Sequence, residues 1–287
     1  MKLSLILTGA DRHDDTQRFF DSLLAQVNPS CAVEVVFINQ GAFQPPITEM
    51  AACGIFCNEI RTGRLPLSKA RNIGLAEASG DLIAFPDDDC WYSEQLLAQV
   101  MAHLERRPEL DAICTNVYDP ITQRAYGGRP TGLHCEVNFG NLFELPTSVG
   151  IFVRRKAFEA AGFYFDEALG AGTQFGSGEE IDLIYRLLKS GALVEYVGSI
   201  QVFHPVPEYQ DTDVAKYYRY GLGFGYLNGR IVRGGELRVL RHFGFVFTRS
   251  LGGTLMNFHC SMRRRLYWNR LLGIFQGFVR GYRSGKC

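Results

Sequence analysis

Gly80-Asp81-Leu82-Ile83-Ala84-Phe85-Pro86-Asp87-Asp88-Asp89-Cys90 joins a turn, an apolar run and three consecutive acids. Leu82 to Phe85, behind a Gly-Asp turn, reads as a short buried strand. The acids follow at its carboxyl end, the end at which open α/β sheets bind ligands. Adjacent carboxylates repel one another and are costly unless solvated or met by a cation. A divalent ion suits them, because Asp-x-Asp presents hard oxygen ligands to Mg²⁺ or Mn²⁺. Standing alone, the same acids would read as a solvated turn before a helix that starts near Ser93.

The segment before them, Leu65 to Gly80, reads as a helix. Ser68 is a candidate cap, Ala70, Ile73, Leu75 and Ala78 are good fillers, and Gly80 is a stop. Upstream, Leu3 to Thr8 and Val33 to Ile38 are strand-like, and Phe19, Phe20, Leu23, Leu24 and Val27 recur between them at helical spacing. Strands alternating with helices predict parallel βαβ units.

An Ala-Arg-Asn-x-Gly helix (Ala70 to Gly74), an Ala-x-Gly-Asp turn (Ala78 to Asp81), a strand and an Asp-x-Asp occur here in order. Together they resemble the signature of family 2 glycosyltransferases of the GT-A fold, of the bacterial polysaccharide type. The resemblance runs over roughly residues 1–205. It implies an α/β fold with a mostly parallel sheet flanked by helices, a nucleotide-diphosphate sugar as donor, and a Mn²⁺ or Mg²⁺ ion. It places Thr8 near the nucleotide, and Asp87 and Asp89 on the ion with Asp89 the foremost ligand. Asp88 then faces the ribose or sugar, and Arg71 supports the nucleotide or the acids. Where the family carries a pair of acids after the second strand, this chain has Asn39-Gln40. A Gln amide both donates and accepts, so these two stand as candidate base contacts, with plain turn residues as the alternative.

Downstream, Gly170-Ala171-Gly172-Thr173-Gln174-Phe175-Gly176-Ser177-Gly178-Glu179-Glu180-Ile181-Asp182-Leu183 reads as a flexible loop entering a helix that runs to about Lys189. Acids at a helix start are favoured by its dipole. The run also resembles the stretch that carries the general base in inverting members of the family. That likeness makes Glu180 the candidate base, with Asp182 and Glu179 as fallbacks, and Arg186 a structural arginine. Many enzymes of the fold place a metal-binding histidine after the acidic helix, which here corresponds to His204 in Val202-Phe203-His204-Pro205. An imidazole beside Asp89 suits Mn²⁺; the bland alternative is a packed strand-end histidine.

The composition fits such an enzyme: 287 residues, 46% hydrophobic and 21% charged. The eight cysteines are scattered, and Cys53-x₃-Cys57 lacks a second pair of zinc ligands. Without a signal peptide they read as reduced thiols of a cytoplasmic protein. The net charge of zero hides a split, because residues 230–287 hold 12 of the 30 basic side chains and one of the 30 acidic ones. In that tail Tyr267, Leu271, Ile274, Phe275 and Phe278 share a helical face framed by arginines. The pattern predicts an interfacial helix on an anionic membrane at the inner face, with close packing on the body, or a basic patch that holds a polyanionic acceptor, as the alternatives. Arg249 and Arg270 interrupt the apolar stretches, so no span is expected. No nucleic-acid motif accompanies the basic tail, so nucleic acid is not an expected partner. Before it, Gly221 and Gly225 sit four apart on a predicted helix, a spacing that lets backbones approach closely.

The expected organisation is a catalytic domain over 1–208, with a nucleotide-sugar half to about 90 and an acceptor half beyond, then a helical basic region over 209–287. The expected reaction is metal-dependent, inverting transfer of a sugar to a glycan or lipid-linked glycan. Two other classes remain: a nucleotidyltransferase, which would want a longer glycine-rich loop after strand one than Thr8-Gly9-Ala10-Asp11, and a catalytically silent membrane-associated scaffold of the same fold.

Overall fold

A computed structural model describes residues 1–26, 31–206 and 214–284. The chain divides into two compact units. The first comprises Met1–Asn138, Glu144–Phe165 and Leu183–Val206, and the second Phe139–Phe143, Asp166–Asp182 and Pro207–Cys287. The expected boundary at 208 lies outside the described residues. The second unit is more than the tail, since it also claims the glycine-rich loop and the start of the acidic helix.

The first unit is built on strands β1 (Lys2–Gly9), β2 (Ala32–Asn39), β3 (Ile55–Arg61), β4 (Leu82–Ala84), β5 (Trp91–Tyr92), β6 (Ala112–Asp119), β7 (Arg124–Ala125), β8 (His134–Glu136), β9 (Ile151–Arg154) and β10 (Val194–Phe203). They form one sheet in the order β3-β2-β1-β4-β9-β6-β10-β5, with β7 on β6 and β8 on β10. Strands β1, β2, β3 and β4 are mutually parallel, β6 and β10 are parallel to each other, and β9 runs antiparallel between the two sets. Six strands therefore point the same way, as the alternation of strands and helices predicts. Helices α1 (His13–Leu24), α2 (Ile47–Ala52), α3 (Leu67–Glu77), α4 (Leu96–Arg106) and α5 (Arg155–Ala160) connect them. Helix α3 starts a residue before Ser68, so Ser68 lies inside it, buried, and Pro66 takes the cap position.

Apolar runs explain the sheet. Leu3, Leu5, Ile6 and Leu7 of β1 and Val35, Val36, Phe37 and Ile38 of β2 are buried, the near-continuous pattern of parallel strands covered on both faces. Phe19 and Phe20 of α1 pack on this core, Phe20 stacking on Phe43 at 5.7 Å and Phe19 meeting Tyr92 edge-on at 5.4 Å. One buried charge stands out. Glu34 accepts hydrogen bonds from Ser4, from the Ser79 amide at 2.6 Å and the Ser79 hydroxyl at 2.8 Å, and pairs with Lys2. Burial opposes its ionisation, but these partners prevail and hold its carboxyl at about 2.

The second unit is helical. It holds the first turn of α6 (Glu179–Lys189), then α7 (Val214–Arg233), α8 (Leu240–Met256) and α9 (Ser261–Arg283). Helices α7 and α9 pack through facing rows of glycines: Gly221, Gly225 and Gly229 against Gly273, Gly277 and Gly281. A Cβ at Gly225 would lie 2.1 Å from the Ile274 carbonyl oxygen, and one at Gly277 would lie 2.1 Å from that of Leu222. Only hydrogen fits between these backbones. The glycines, not the aromatic residues, therefore choose the inward face of α9. Leu271 and Ile274 are buried beside them, whereas Phe275 is exposed. The expected single lipid-facing stripe of Tyr267, Leu271, Ile274, Phe275 and Phe278 is thus split.

Candidate active site

Strand β4 is short, but its registry with β1 is firm: Leu3 faces Leu82 and Leu5 faces Ala84. Continued upward, the pairing gives an isolated bridge between Thr8 and Asp87. The three acids thus emerge at the carboxyl end of the parallel strands. On the other side, β5 pairs antiparallel with β10, Trp91 opposite Phe203. One step beyond that pair on each strand brings His204 to the acidic turn. His204 Nε2 lies 3.0 Å from Asp89 Oδ1.

Each acid has its own partner. Asp87 accepts from Arg71 Nη2 at 2.8 Å. Arg71, on α3, is fully buried and sits over the rings of Phe85 and Phe165, so it braces the acid from beneath. Asp88 accepts from the Ala10 amide at 3.3 Å and faces Arg12 at 3.4 Å. Burial, with Asp89 and Asp87 nearby, raises its carboxyl to about 6 despite Arg12. Asp89 is buried enough to oppose ionisation, yet His204 and Arg12 hold it below the usual range. The His204 imidazole is correspondingly raised: burial works against its charge, but Asp89 prevails. Its Nδ1 lies 2.7 Å from the Pro205 carbonyl. With Nδ1 donating there, Nε2 is the nitrogen turned to Asp89.

Arg12 is the functional candidate that sequence reasoning missed. It pairs with Asp89 and Asp88, placing a guanidinium where a cation is expected. Nothing in Ala10-Asp11-Arg12 signals this, because the contact joins two loops distant in sequence. Arg18 adds a bond to the Asp89 carbonyl at 3.3 Å and stacks on Trp91 at 4.0 Å.

The donor set partly fits a divalent ion. Asp89 and His204 are of the ligand types such an ion takes, but at 3.0 Å they hydrogen-bond each other directly. The expected trio does not gather: among the described residues no three His, Cys, Asp or Glu side chains converge to hold a metal, and Asp87 is turned to Arg71 instead.

Asn39 and Gln40 lie at and just beyond the end of β2. Asn39 is 1% exposed, donates to the Phe43 carbonyl at 2.7 Å and to Glu59 at 2.6 Å, and accepts from the Gly41 amide at 3.1 Å. Both amide hydrogens are thus engaged within the protein, and the oxygen holds one of the two bonds it can accept. Gln40 accepts from the Leu65 amide at 2.6 Å, a bond that uses its oxygen and not its amide nitrogen. Thr8 is 7% exposed at the end of β1.

In the second unit, Gly178 has φ +98° just before α6, a left-handed turn that glycine adopts without strain. The three acids then part company. Asp182 is 1% exposed and pairs with Arg230 of α7, which also bonds Asp166 at 2.7 Å. Asp182 is therefore committed to an internal ion pair, and Arg230 is no part of a basic surface. Glu179 is 6% exposed. Glu180 is the most accessible of the three. A cavity of about 480 Å³ along α4 and β10, lined by Gln99, His103, His134, Val197, Ser199 and Ile200, holds none of the candidate residues.

The family model described as "Glycosyl transferase family 2" matches residues 6–160. The chain belongs to glycosyl transferase family 2. Two curated Mycobacterium tuberculosis proteins, each named pre-mycofactocin glycosyltransferase, are 25% identical to it over 178 residues, or 60% of this chain. The match spans 37% of their length. Among solved structures, S. aureus TarS 1–349 in complex with UDP-GlcNAc superposes with a TM-score of 0.60 at 17% identity, covering 100% of this chain and 93% of that one. The mannosyltransferase PcManGT from Pyrobaculum calidifontis, in complex with GDP-Man and Mn2+, gives a TM-score of 0.61 at 12% identity, covering 99% and 88%. At these identities the likeness is one of fold, and it is the GT-A fold.

Proposed function

We propose that this family member is a metal-dependent, inverting glycosyltransferase that moves a sugar from a nucleotide-diphosphate donor to a hydroxyl of a glycan or lipid-linked glycan. The observation that carries the reading is the Asp89–His204 pair at the carboxyl end of the parallel strands, beside the Thr8–Asp87 bridge. The nucleotide sugars in the TarS and PcManGT structures support the donor class, and the Mn2+ of the latter supports the ion.

Asp89 and His204 would hold Mn²⁺ or Mg²⁺, which supplies positive charge against a leaving diphosphate. Arg71 fixes Asp87, and Thr8 lines the nucleotide end. Arg12 shields the charge of Asp88 and Asp89, and its guanidinium could pair with the donor's diphosphate where a bound cation would take over the acids. Asp88 serves the ribose or sugar. Glu180 accepts the proton of the attacking hydroxyl; Asp182 pairs with Arg230 and ties the first turn of α6 to α7.

The test is a panel of UDP- and GDP-sugars with Mn²⁺, following donor hydrolysis by mass spectrometry and melting temperature in parallel. Metal-dependent stabilisation by a diphosphate, with turnover of one donor, is expected. Stabilisation by triphosphates alone would replace this reading with nucleotidyl transfer. No response to any nucleotide would favour the silent scaffold, to which the engaged Asn39 amide and the Arg12-occupied acids already lend one argument.

A further inference from the structure

Helix α8 is amphipathic in an unusual direction. Only Val246 and Ser250 of its residues are buried. Its other face carries Leu240, Phe245, Leu251, Leu255 and Met256, and all five are exposed. The apolar surface continues round the turn into α9: Leu255, Met256 and Phe258 are 66%, 76% and 74% exposed, and Met262 follows at 36%. Arg263, Arg264 and Arg265 come next, and Arg241 and Arg249 lie along α8. Scattered exposed apolar side chains are ordinary, but a continuous apolar tip backed by cations marks an interaction site.

Charge selects the occupant. No acidic residue follows Glu236, while residues 237–287 carry ten Lys and Arg. A second copy of the same surface would set arginines against arginines, which disfavours a symmetric self-contact. Lipid phosphates offer the opposite sign, and acyl chains accept the apolar tip. Among the described residues no helix is long and apolar enough to cross a membrane.

We propose that the outer face of α8 and the α8–α9 turn form a docking surface for an anionic lipid bilayer. Leu255, Met256 and Phe258 enter the headgroup boundary, and Arg249 and Arg263 to Arg265 engage phosphates. The surface differs from the aromatic stripe of α9 that the sequence suggests, because the glycine contact with α7 buries part of that stripe. The proposal does not depend on the glycosyl-transfer reading, and its readout is binding alone.

The experiment is flotation of the full chain with vesicles of phosphatidylglycerol and phosphatidylcholine in equal parts, against phosphatidylcholine alone. Wild type should float only with the anionic vesicles, less at moderate salt but not to zero. Leu255→Asp/Phe258→Asp, whose side chains are exposed and whose melting temperature should match wild type, should lose at least about tenfold of the bound fraction, since apolar insertion is removed and two carboxylates oppose the lipid phosphates. Wild type that ignores anionic vesicles, or a folded double variant that still floats, overturns the proposal. So does concentration-dependent self-association, seen by light scattering and abolished by the double variant, which would make a second copy the occupant.

Discussion

His204 Nε2 stands 3.0 Å from Asp89 Oδ1, a contact made by the register of β5 on β10. Asp89→Ala and His204→Ala should each abolish Mn²⁺-dependent stabilisation by the nucleoside diphosphate. Asp87→Asn should weaken it less, because Asp87 answers to Arg71 rather than to the histidine. Calorimetric titration of Mn²⁺ with and without UDP or GDP checks this. Equal losses in all three variants would restore Asp87 to the ligand set.

Arg12 holds the place of the cation. Removing it leaves Asp88 and Asp89 without their guanidinium, so Arg12→Ala should bind Mn²⁺ more tightly than wild type in the absence of nucleotide. A gain of several-fold in affinity, on the order of 1 kcal/mol for one partly exposed pair, is expected. Unchanged or weaker Mn²⁺ binding would show that Arg12 does not compete with the ion.

Glu180→Gln should keep donor binding and lose ~10²–10⁴-fold in turnover, the usual effect of removing a general base. Asp182→Asn should act differently. It leaves Arg230 still paired with Asp166, so the loss should fall below the about 3–5 kcal/mol of a buried charge left with no partner. Its signature is a lowered denaturation midpoint. Normal turnover in Glu180→Gln with a rate collapse in a stably folded Asp182→Asn would exchange the two roles.

The pH dependence of stability should carry the mark of Glu34. Its carboxyl is held at about 2, against an ordinary value of 4.5. A depressed carboxylate stabilises the fold fully above its unfolded value, and the gain is lost as pH falls through the folded one. Glu34→Gln should therefore cost roughly 2 kcal/mol near neutrality, allowing for the partial exposure of Lys2. The difference from wild type should shrink below pH 4.5 and fade towards pH 2. Denaturant midpoints across that range measure it, and a constant gap would deny the shift.

The glycine contact predicts a steric failure. Gly277→Leu places its side chain against the Leu222 carbonyl, a backbone atom that cannot rotate away. A loss of about 3 kcal/mol or more is expected. Gly244→Ala, on α8 where nothing lies near an added Cβ, should be neutral or slightly stabilising. Thermal melts of the two variants give the comparison.

Local pattern carried much of this protein. Apolar runs bounded by turns mark β1, β2 and β4; helical spacing marks α1, α3 and α6; and the acids after β4 mark the binding end of the sheet. Each is a property of a few consecutive residues, and local sterics and burial periodicity act over that range. What the sequence left open depends on partners far along the chain. That the Asn39 amide meets Glu59 and Phe43, and that Asp182 pairs with Arg230, shows in no local motif. Arg12 has no motif at all, and the inward face of α9 follows from where the glycines of α7 permit contact. Those outcomes rest on strand register, buried charge pairing and backbone approach, interactions that exist only once distant segments have met.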